Sequence, residues 1–465
     1  MSHALAETQT RTVAAPSRRI TRNLVLAMAC AAIAMVSIDI AIVNVALPSI
    51  QAEFGVGHGM LQWVVVAYSL LLGGFLLFGG RLADRLGQRR VFIIGLATFT
   101  GASFLAGVAQ QADVLIAART VQGFGAALIA PTALSLIAVT FTEGPERERA
   151  LGIFGAVGGI AASAGVVASG LLTAGPGWRW AFYINVPTGL MLILLGAAFA
   201  PGRTGDRKTR LDIAGAITVT GSLLLFIYAL HHAAGHSWLS GSTLALFAAA
   251  AILMVAFVRI EARAKAPLVP AATLRNRSLI SSNLTAFLAS CAFLAFIFIG
   301  SLLMQQALGY SPIDTGLAWL ATTATIFPVA IIGGRLVAKV GLRRLLITGL
   351  VLFAAAALWL ARVPSDGSYV TDVLPAFVLA GIGFGLVEPA LQIGALTGVA
   401  EEDTGLASGL IETMREVGGA AGVAGVSTVL VAGSGIGGFH TAFLIMAALL
   451  VLGMISASLG HTRRA

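Results

Sequence analysis

Charge is the property that this sequence has least of. Asp, Glu, Lys and Arg make up 11% of its 465 residues, whereas 58% of the residues are hydrophobic and the mean hydropathy is +0.93. Because globular domains carry roughly 25% charged residues, the composition excludes an ordinary soluble domain and is typical of a polytopic membrane protein. The partner that this predicts is the lipid bilayer. With this hydropathy, the net charge of +9 indicates contact with a membrane surface and not with nucleic acid.

Cysteines are scarce, and the common catalytic motifs are missing. Cys30 and Cys291 lie in separate apolar runs without CxxC spacing, which argues against a disulfide framework or a zinc knuckle. The chain contains no HExxH metal helix and no GxSxG nucleophile elbow. The sequence therefore predicts no metal, no cofactor and no bond-making chemistry. It disfavours the alternative of an integral membrane enzyme that acts on lipid-embedded substrates.

Long apolar runs are what the sequence has instead. There are fourteen of them, and each reaches the ~20 residues that a helix needs to cross the bilayer core. Residues 1–22 before them are polar and carry several arginines, so we predict that this segment and residues 461–465 are cytoplasmic tails. The runs cover residues 23–47, 60–80, 90–109, 113–140, 150–173, 179–200, 211–231, 242–259, 280–305, 315–335, 343–361, 372–398, 405–431 and 439–460.

The distribution of basic residues tests this number of spans. If the N-terminus is cytoplasmic, 25 of the 29 Lys and Arg residues fall on the cytoplasmic side. A miscount by one span would reverse this bias downstream of the error. Because cytoplasmic loops are enriched in Lys and Arg, the sequence predicts fourteen spans with both termini in the cytoplasm.

One stretch of the chain is written twice. GGRLADRLGQRR, residues 79–90, returns as GGRLVAKVGLRR, residues 333–344, at a distance of 254 residues. Such a repeat indicates two related halves, and the distance leaves room for two extra spans between them. We therefore predict an all-α polytopic membrane protein with two six-helix bundles, residues 23–200 and 279–460, and two inserted helices within residues 201–278.

The first copy of the repeat is a candidate gate. Asp84 is a lone carboxylate among four arginines, and the second copy has Ala338 in its place. A charge cluster around Asp84 would hold one arrangement of the two halves and release another. The alternative is a solvated basic loop that only sets topology. The candidate gating residues are Gly80, Asp84, Arg85, Gly87, Arg89 and Arg90.

Ionisable side chains inside the spans are the other candidates. Such a residue costs ~2.5 to 3.5 kcal/mol on insertion scales, so it is rarely kept without a partner or a function. A low-dielectric site favours the protonated form of a carboxylate, which makes Asp39 a candidate proton carrier, with a structural hydrogen bond as the alternative. Arg119 could stabilise a deprotonated carboxylate. Glu388, which precedes a helix-bending proline, and Glu412 complete the candidates for proton coupling.

Three amides are candidates of a different kind. Asn44, Gln62 and Gln122 lie in or beside the apolar runs. They either line a transport pathway or only join helices by hydrogen bonds.

Several segments resemble one known family along nearly the whole chain. The sequence is similar to the major facilitator superfamily, and within it to the fourteen-spanner drug/proton antiporters. The matching segments are SIDIAIVNVALP from Ser37, GRLADRLGQRR from Gly80, ARTVQGFGAA from Ala118, WRWAFYINVPTG from Trp178, GYSP from Gly309 and DTGLASGLIETMREVGGAAG from Asp403.

The resemblance implies an activity and a location. It implies a monomeric transporter of a bacterial cytoplasmic membrane that exports small amphipathic compounds, drugs or antibiotics, by proton-driven alternating access. Asp84 then matches the gate, Arg119 the fourth-span arginine associated with proton coupling, and Asp39 the acidic position of the first span. One departure is that the fifth-span Gly-Pro step of the antiporters reads Gly165-Val166 here. This keeps open the alternative of a dedicated metabolite exporter with different coupling.

Overall fold

The computed structural model describes residues 18–56, 58–202, 212–235, 237–264, 267–270, 273–432 and 435–460. Residues 1–17 and 461–465, most of the two predicted tails, lie outside this part of the chain. The described residues form fifteen α-helices: α1 Arg18–Phe54, α2 His58–Leu86, α3 Gln88–Val108, α4 Ala112–Thr140, α5 Pro145–Ala174, α6 Trp180–Tyr183, α7 Asn185–Phe199, α8 Ile213–Gly235, α9 Gly241–Glu261, α10 Arg277–Leu302, α11 Pro312–Val340, α12 Leu342–Leu360, α13 Leu374–Leu396, α14 Thr404–Ala432 and α15 Ile436–Gly460.

The number of helices is consistent with the fourteen predicted spans. The short helix α6 and helix α7 together occupy one apolar run, with a break at Ile184. Within the described residues, twelve segments are long and apolar enough to cross a membrane. The two other long helices are α5 and α14, with 30 and 29 residues. Helix α14 carries three charged residues, Glu412, Arg415 and Glu416.

The long helices pack into two bundles. In the first bundle α2 and α3 pack on α4, and α1 packs on α5; in the second, α10 packs on α14 and α15, and α11 and α12 pack on α13. Glycines allow these helices to approach closely. A Cβ atom added at Gly123 of α4 would lie 2.3 Å from the carbonyl oxygen of Tyr68 in α2, and one added at Gly422 of α14 would lie 2.1 Å from that of Cys291 in α10.

The two inserted helices, α8 and α9, pair with each other and cover one side of the seam between the bundles. Helix α8 contacts α2 of the first bundle and α14 of the second. The Tyr228 ring of α8 stacks on Trp63 of α2 with a centroid distance of 5.9 Å. The Ser222 hydroxyl of α8 donates to the carbonyl of Ala250 in α9 at 2.8 Å. The insertion predicted from the repeat distance therefore lies where both bundles can contact it.

The repeat distance of 254 residues also relates Gly55 to Gly309, and the related glycines adopt the same backbone conformation in both halves. Gly55 and Gly309 have φ values of 62° and 73°, and Gly87 and Gly341 have φ values of 91° and 88°. This left-handed region is open to glycine at no steric cost. Gly87 and Gly341 end one helix and start the next, so each turn is tight. We call the end of the molecule that carries these two turns, with the arginines that follow them, the arginine-rich end.

At the arginine-rich end the two bundles meet backbone to backbone. A Cβ atom added at Gly80 of α2 would lie 2.1 Å from the carbonyl oxygen of Gly405 in α14. The matching contact of the second copy is between Gly334 of α11 and α5, where an added Cβ atom would lie 2.7 Å from the carbonyl oxygen of Glu148. The repeated glycines therefore close the arginine-rich end between the bundles in this state.

Candidate functional site

A cavity of about 70 Å³ lies between the two bundles. Its two walls differ in chemistry. The first bundle contributes apolar side chains, glycines and one hydroxyl, whereas the second contributes ionisable and amide groups. The lining residues are Ile33, Val36, Ser37, Ile40, Leu72, Leu76, Ala130, Phe154, Gly155 and Gly158 from the first bundle, and Glu388, Gln392, Glu412, Arg415 and Glu416 from the second.

The polar wall is an ion cluster from α13 and α14. Arg415 Nη1 lies 3.1 Å from Glu388 Oε1 and donates to both Glu412 carboxylate oxygens, at 3.1 and 3.2 Å. Gln392 Nε2 donates to Glu388 Oε1 at 3.0 Å. Spacings of three and four residues place these side chains on one face of each helix. One guanidinium is thus shared by two carboxylates, while Glu416 lines the cavity without joining these bonds.

Two carboxylates of this cluster are shielded from water, whereas the Arg415 side chain is 28% exposed. Glu388 is 4% exposed and Glu412 is 5% exposed. Because a buried charge is costly unless it is paired, carboxylates that outnumber the guanidinium favour the arrival of a proton or of another cation. The sequence candidates Glu388 and Glu412 therefore come together at a place where positive charge can be held.

Asp39 and Arg119 form a second buried network, inside the first bundle. Arg119 Nη1 donates to Asp39 Oδ2 at 2.5 Å, and the two residues are 1% and 0% exposed. The other carboxylate oxygen, Asp39 Oδ1, accepts from Gln122 Nε2 at 2.8 Å and from Asn185 Nδ2 at 2.9 Å. Every oxygen of the Asp39 carboxylate therefore has a donor, and the network joins α1, α4 and α7.

Arg119 is held by three further contacts. Its Nε donates to the carbonyl of Val64 at 3.1 Å, and its Nη1 donates to Gln122 Oε1 at 2.8 Å. Its guanidinium carbon lies 4.0 Å from the centroid of the Tyr68 ring, a cation–π contact. These contacts compensate the buried charge of Arg119.

Among the three candidate amides Asn44, Gln62 and Gln122, the one whose side chain the structure describes, Gln122, does not line the cavity described above. The side chains of Asn44 and Gln62 lie outside the described residues. Gln122 is fully buried in the Asp39 network, and the central cavity is lined by other residues. The reason is that its amide donates to Asp39 and to Ser103 and accepts from Arg119, so both ends are used within the bundle.

The Asp84 carboxylate reaches from the first bundle to the second. Asp84 Oδ1 and Oδ2 accept from the backbone N–H groups of Gly405 and Leu406, each at 2.8 Å. These are among the first N–H groups of α14, which have no partner inside their own helix and favour a negative charge. Arg81 Nη1 lies 3.8 Å from Asp84 and 3.0 Å from Asp403. Asp84 thus caps α14 at the closed end.

In the second copy of the repeat, Ala338 stands at the position of Asp84, and its surroundings differ. The residue of α5 that faces Gly334, as Gly405 faces Gly80, is Glu148. Helix α5 begins earlier, at Pro145, so the N–H of Glu148 already donates to the carbonyl of Gly144 at 3.0 Å. An acid at position 338 that faced Glu148 would therefore meet an amide already bonded at the start of α5, which is consistent with the difference between the two copies.

The remaining loop candidates occupy other positions at the arginine-rich end. Gly87 forms the turn between α2 and α3, and the side chain of Arg89 bonds to the carbonyl of Ala197 in α7. Arg85 lies in the last turn of α2. Arg90 is exposed. Among the loop arginines, Arg81 is the one that pairs with Asp84.

We expect Asp84→Ala to slow transport by destabilising the closed arginine-rich end. The change leaves two helix N–H groups without acceptors, and a buried polar group without a partner costs about 1–3 kcal/mol. Turnover of a transported compound in sealed vesicles should fall about tenfold, with the variant present at normal level in the membrane. Glu402→Ala, which removes an exposed carboxylate just before α14 at the same end, is the control. An unchanged rate for Asp84→Ala would make the loop a topological signal only.

Two residues of these networks, Asn185 and Gln392, were not among the candidates predicted from the sequence. Asn185 is a single amide at the start of an otherwise apolar helix, and it bonds to Asp39. Gln392 follows Glu388 by four residues, one helical turn, and bonds to it. An amide four residues from a buried acid is a readable helix-face signal. The pairing of Asn185 with Asp39 depends on the packing of α7 against α1, which is not local.

These features define a class of protein. A secondary transporter that works by alternating access has two bundles related by a repeat, a cavity between them and a contact that closes one end. The sequence profile described as the Major Facilitator Superfamily matches residues 29–423 and, in a second overlapping match, residues 284–464. The chain belongs to this superfamily and is a membrane transporter of small molecules, not an enzyme.

Known relatives and solved structures agree with this assignment. The chain is 38% identical to a puromycin resistance protein of Streptomyces alboniger over 388 residues, which covers 82% of this chain and 76% of the relative. It is 37% identical to a cephamycin export protein of Amycolatopsis lactamdurans over 395 residues, 84% and 81% of the two chains. The human organic anion transporter MFSD10 has a TM-score of 0.66 at 15% identity, with 95% and 100% of the two chains covered, which shows the shared fold.

Proposed function

We propose that this protein exports small amphipathic compounds, drugs or antibiotics, in exchange for protons. The observation that carries the proposal is the central cavity, which has one apolar wall and one wall of buried carboxylates. An apolar wall suits the body of an amphipathic compound, since pockets for small molecules are mostly apolar with a few placed polar groups. Carboxylates that can take up protons supply the coupling.

The relatives support the export of antibiotics. The names of the S. alboniger and A. lactamdurans relatives refer to puromycin resistance and cephamycin export, and a third, from Streptomyces lincolnensis, is a lincomycin resistance protein, 32% identical over 80% of this chain. Each of these names refers to one antibiotic. This favours, as a second candidate function, a dedicated exporter of one metabolite.

The orientation that fits this function places the arginine-rich end in the cytoplasm. Both termini then lie on the cytoplasmic side of a bacterial cytoplasmic membrane, since basic loops stay on that side, and we propose that the protein works there as a monomer. The state described above is closed toward the cytoplasm by the Gly80–Gly405 and Gly334–Glu148 contacts. Asp84 and Arg81 hold this closed state, and rocking of the two bundles opens it to admit cargo.

Two sites are placed to take up protons in this cycle. Protonation of Asp39 would weaken its bond to Arg119, because Arg119 donates to a charged carboxylate more strongly than to a neutral one. Protonation of Glu388 or Glu412 would weaken the ion pair between that carboxylate and Arg415. The helix that links the networks is α1, which carries Asp39 and also lines the cavity with Ile33 and Ile40. A change in the Asp39 network can therefore move α1 and, with it, the apolar wall of the central cavity.

The test uses inside-out membrane vesicles with an acidic lumen and a pH-sensitive dye. Adding puromycin or lincomycin should dissipate the pH gradient when the wild-type chain is present, because each molecule of cargo taken into the lumen is exchanged for protons. We expect Glu388→Gln to reduce this signal at least tenfold, since it removes an acid from the cavity. Asp366→Asn, in an exposed loop, is the matched control and should behave as wild type.

The outcomes separate the candidate functions. Uptake of several unrelated compounds with proton release supports a drug exporter, and uptake of a single compound supports the dedicated exporter. Compound uptake that persists without a pH gradient, at an unchanged rate, would overturn proton coupling.

A further inference from the structure

The inserted helix α8 is seated on the first bundle at two glycines of α2. A Cβ atom added at Gly73 would lie 2.5 Å from Cδ1 of Ile227, and one added at Gly74 would lie 2.5 Å from Cδ2 of Leu224. These two side chains of α8 fill notches that a larger residue in α2 would close. The inserted pair is therefore anchored on the first bundle, and its contacts with the second bundle run across the seam.

The segment that follows the inserted pair lies at the contact that closes the arginine-rich end. We call residues 267–270, between α9 and α10, the connector. Leu268 of the connector is 2% exposed and belongs to an apolar cluster that includes Leu77 of α2 and Leu406 of α14. Leu406 is also a residue whose N–H group donates to Asp84. The connector therefore packs where the two bundles meet.

Two peptide groups of the connector are held between opposite charges. Their N–H groups, of Leu268 and Val269, donate to the two carboxylate oxygens of Glu261 at 2.8 and 3.1 Å. Their carbonyls, of Pro267 and Leu268, accept from the Arg81 guanidinium, the Pro267 carbonyl at 3.3 Å. Since the N–H and C=O of a trans peptide point in opposite directions, the carboxylate and the guanidinium lie on opposite sides of the connector. Each charge polarises the peptide groups and strengthens the bonds that the other charge makes.

The same guanidinium is part of the contact between the bundles. Arg81 Nη1 lies 3.0 Å from Asp403 and 3.8 Å from Asp84. We propose that Glu261 and Leu268 are positioning residues of this closed end: they hold the connector against Arg81 and α14, so that the inserted pair stabilises the closed state. The inference goes beyond the proposed export function, because it depends neither on the compound that is carried nor on proton coupling.

Two interactions cross the seam and must break when the arginine-rich end opens. One is the apolar cluster that Leu268 shares with Leu406, and the other is the ion pair of Arg81 with Asp403. Glu261 sets the position of both, because it fixes the peptide groups that carry Leu268 and that accept from Arg81. Loss of the Glu261 charge therefore shifts the equilibrium toward the open end without removing either interaction outright.

The experiment measures how often the arginine-rich end opens in the full-length protein in lipid nanodiscs. The reporter is Ser135→Cys in a background without Cys30 and Cys291, labelled with N-ethylmaleimide. Ser135 is 0% exposed, and its hydroxyl lies 3.0 Å from that of Thr404 in α14, so a thiol there reacts only when the bundles separate.

Two variants of the inserted segment are compared with the wild-type chain. Glu261→Gln keeps the size of the side chain and removes its charge, and we expect the reporter to label at least about threefold faster. Leu268→Ala removes a buried leucine from the cluster, and we expect at least about tenfold faster labelling. Leu268→Met conserves the volume and should restore labelling to near the wild-type rate. Leu239→Ala, the same change at a leucine that is 82% exposed at the other end of the inserted pair, is the matched control.

The native thiols distinguish an opened end from a loosened fold. Cys30 of α1 and Cys291 of α10 are buried within the bundles. In the chain that keeps them and has no reporter, Glu261→Gln and Leu268→Ala should leave their labelling rate unchanged. An equal rise in labelling of these thiols would overturn the proposal, because both residues would then have only a general structural role.

Unchanged labelling of the reporter would also overturn the proposal. Glu261→Gln alone decides this if Leu268→Ala fails to fold, since it is a change of nearly equal size. Labelling requires no transported compound, so the two proposals fail separately. Faster labelling in a protein that exports nothing would support the role of the connector and overturn the export function, whereas export with unchanged labelling in both variants would do the reverse.

Discussion

Asp39→Asn is expected to abolish pH-driven efflux while the protein remains folded in the membrane. The asparagine side chain has the same size and keeps one oxygen for Gln122 and Asn185, so the packing of α1 against α4 and α7 is preserved. It cannot take up or release a proton, and it no longer offers a charged partner to Arg119, which is 2.5 Å away. We expect efflux below about 1% of the wild-type rate, a loss of about 2.7 kcal/mol in the coupled step.

The measurement is the initial rate of compound uptake into inside-out vesicles under an imposed pH gradient. Membrane level and thermal unfolding in detergent check that the variant is folded. Asp39→Glu restores the acid on a longer side chain, and we expect partial recovery of the rate. Proton-driven uptake by Asp39→Asn at the wild-type rate would rule out a coupling role and leave Asp39 as a structural hydrogen-bond acceptor.

Gly80→Ala is expected to prevent the arginine-rich end from closing. The added Cβ atom would lie 2.1 Å from the carbonyl oxygen and 2.9 Å from the carbonyl carbon of Gly405. These are backbone atoms of α14, so relief requires the two bundles to separate. Overpacking of this kind costs about 1–3 kcal/mol, and more where the backbone must move. We expect efflux to fall at least about tenfold because this closed state becomes rare.

Thiol labelling tests the cause of that loss. The hydroxyls of Ser135 in α4 and Thr404 in α14 lie 3.0 Å apart across the bundle contact, and Ser135 is 0% exposed. In a background without Cys30 and Cys291, a Ser135→Cys reporter should label faster when Gly80→Ala is also present. Gly101→Ala is the matched control, since a Cβ atom there has nothing within 4 Å. Equal labelling with and without Gly80→Ala would argue against a blocked closure.

The sequence predicted much of the architecture because the signals for it are local. Each of these signals is visible in a short stretch of chain: the length of an apolar run, the positions of Lys and Arg, and the repeat at residues 79–90 and 333–344. The helices of the structure agree with the predicted spans. The one-residue turn at Ile184 within residues 179–200 also has a local cause, because Pro187 has no N–H to donate to the carbonyl of Tyr183, but hydropathy alone does not register it.

The sequence by itself determined that the chain is a helical membrane protein with two related halves, an insertion between them and a few buried charges. Only the tertiary structure decided which charges face one another. It placed Asp39 and Gln122 in a sealed network and put Glu388, Gln392 and Glu412 on a cavity wall. The reason is physical: a membrane helix is fixed by its own length and hydropathy, whereas its rotation depends on close contacts with partner helices far away in the chain.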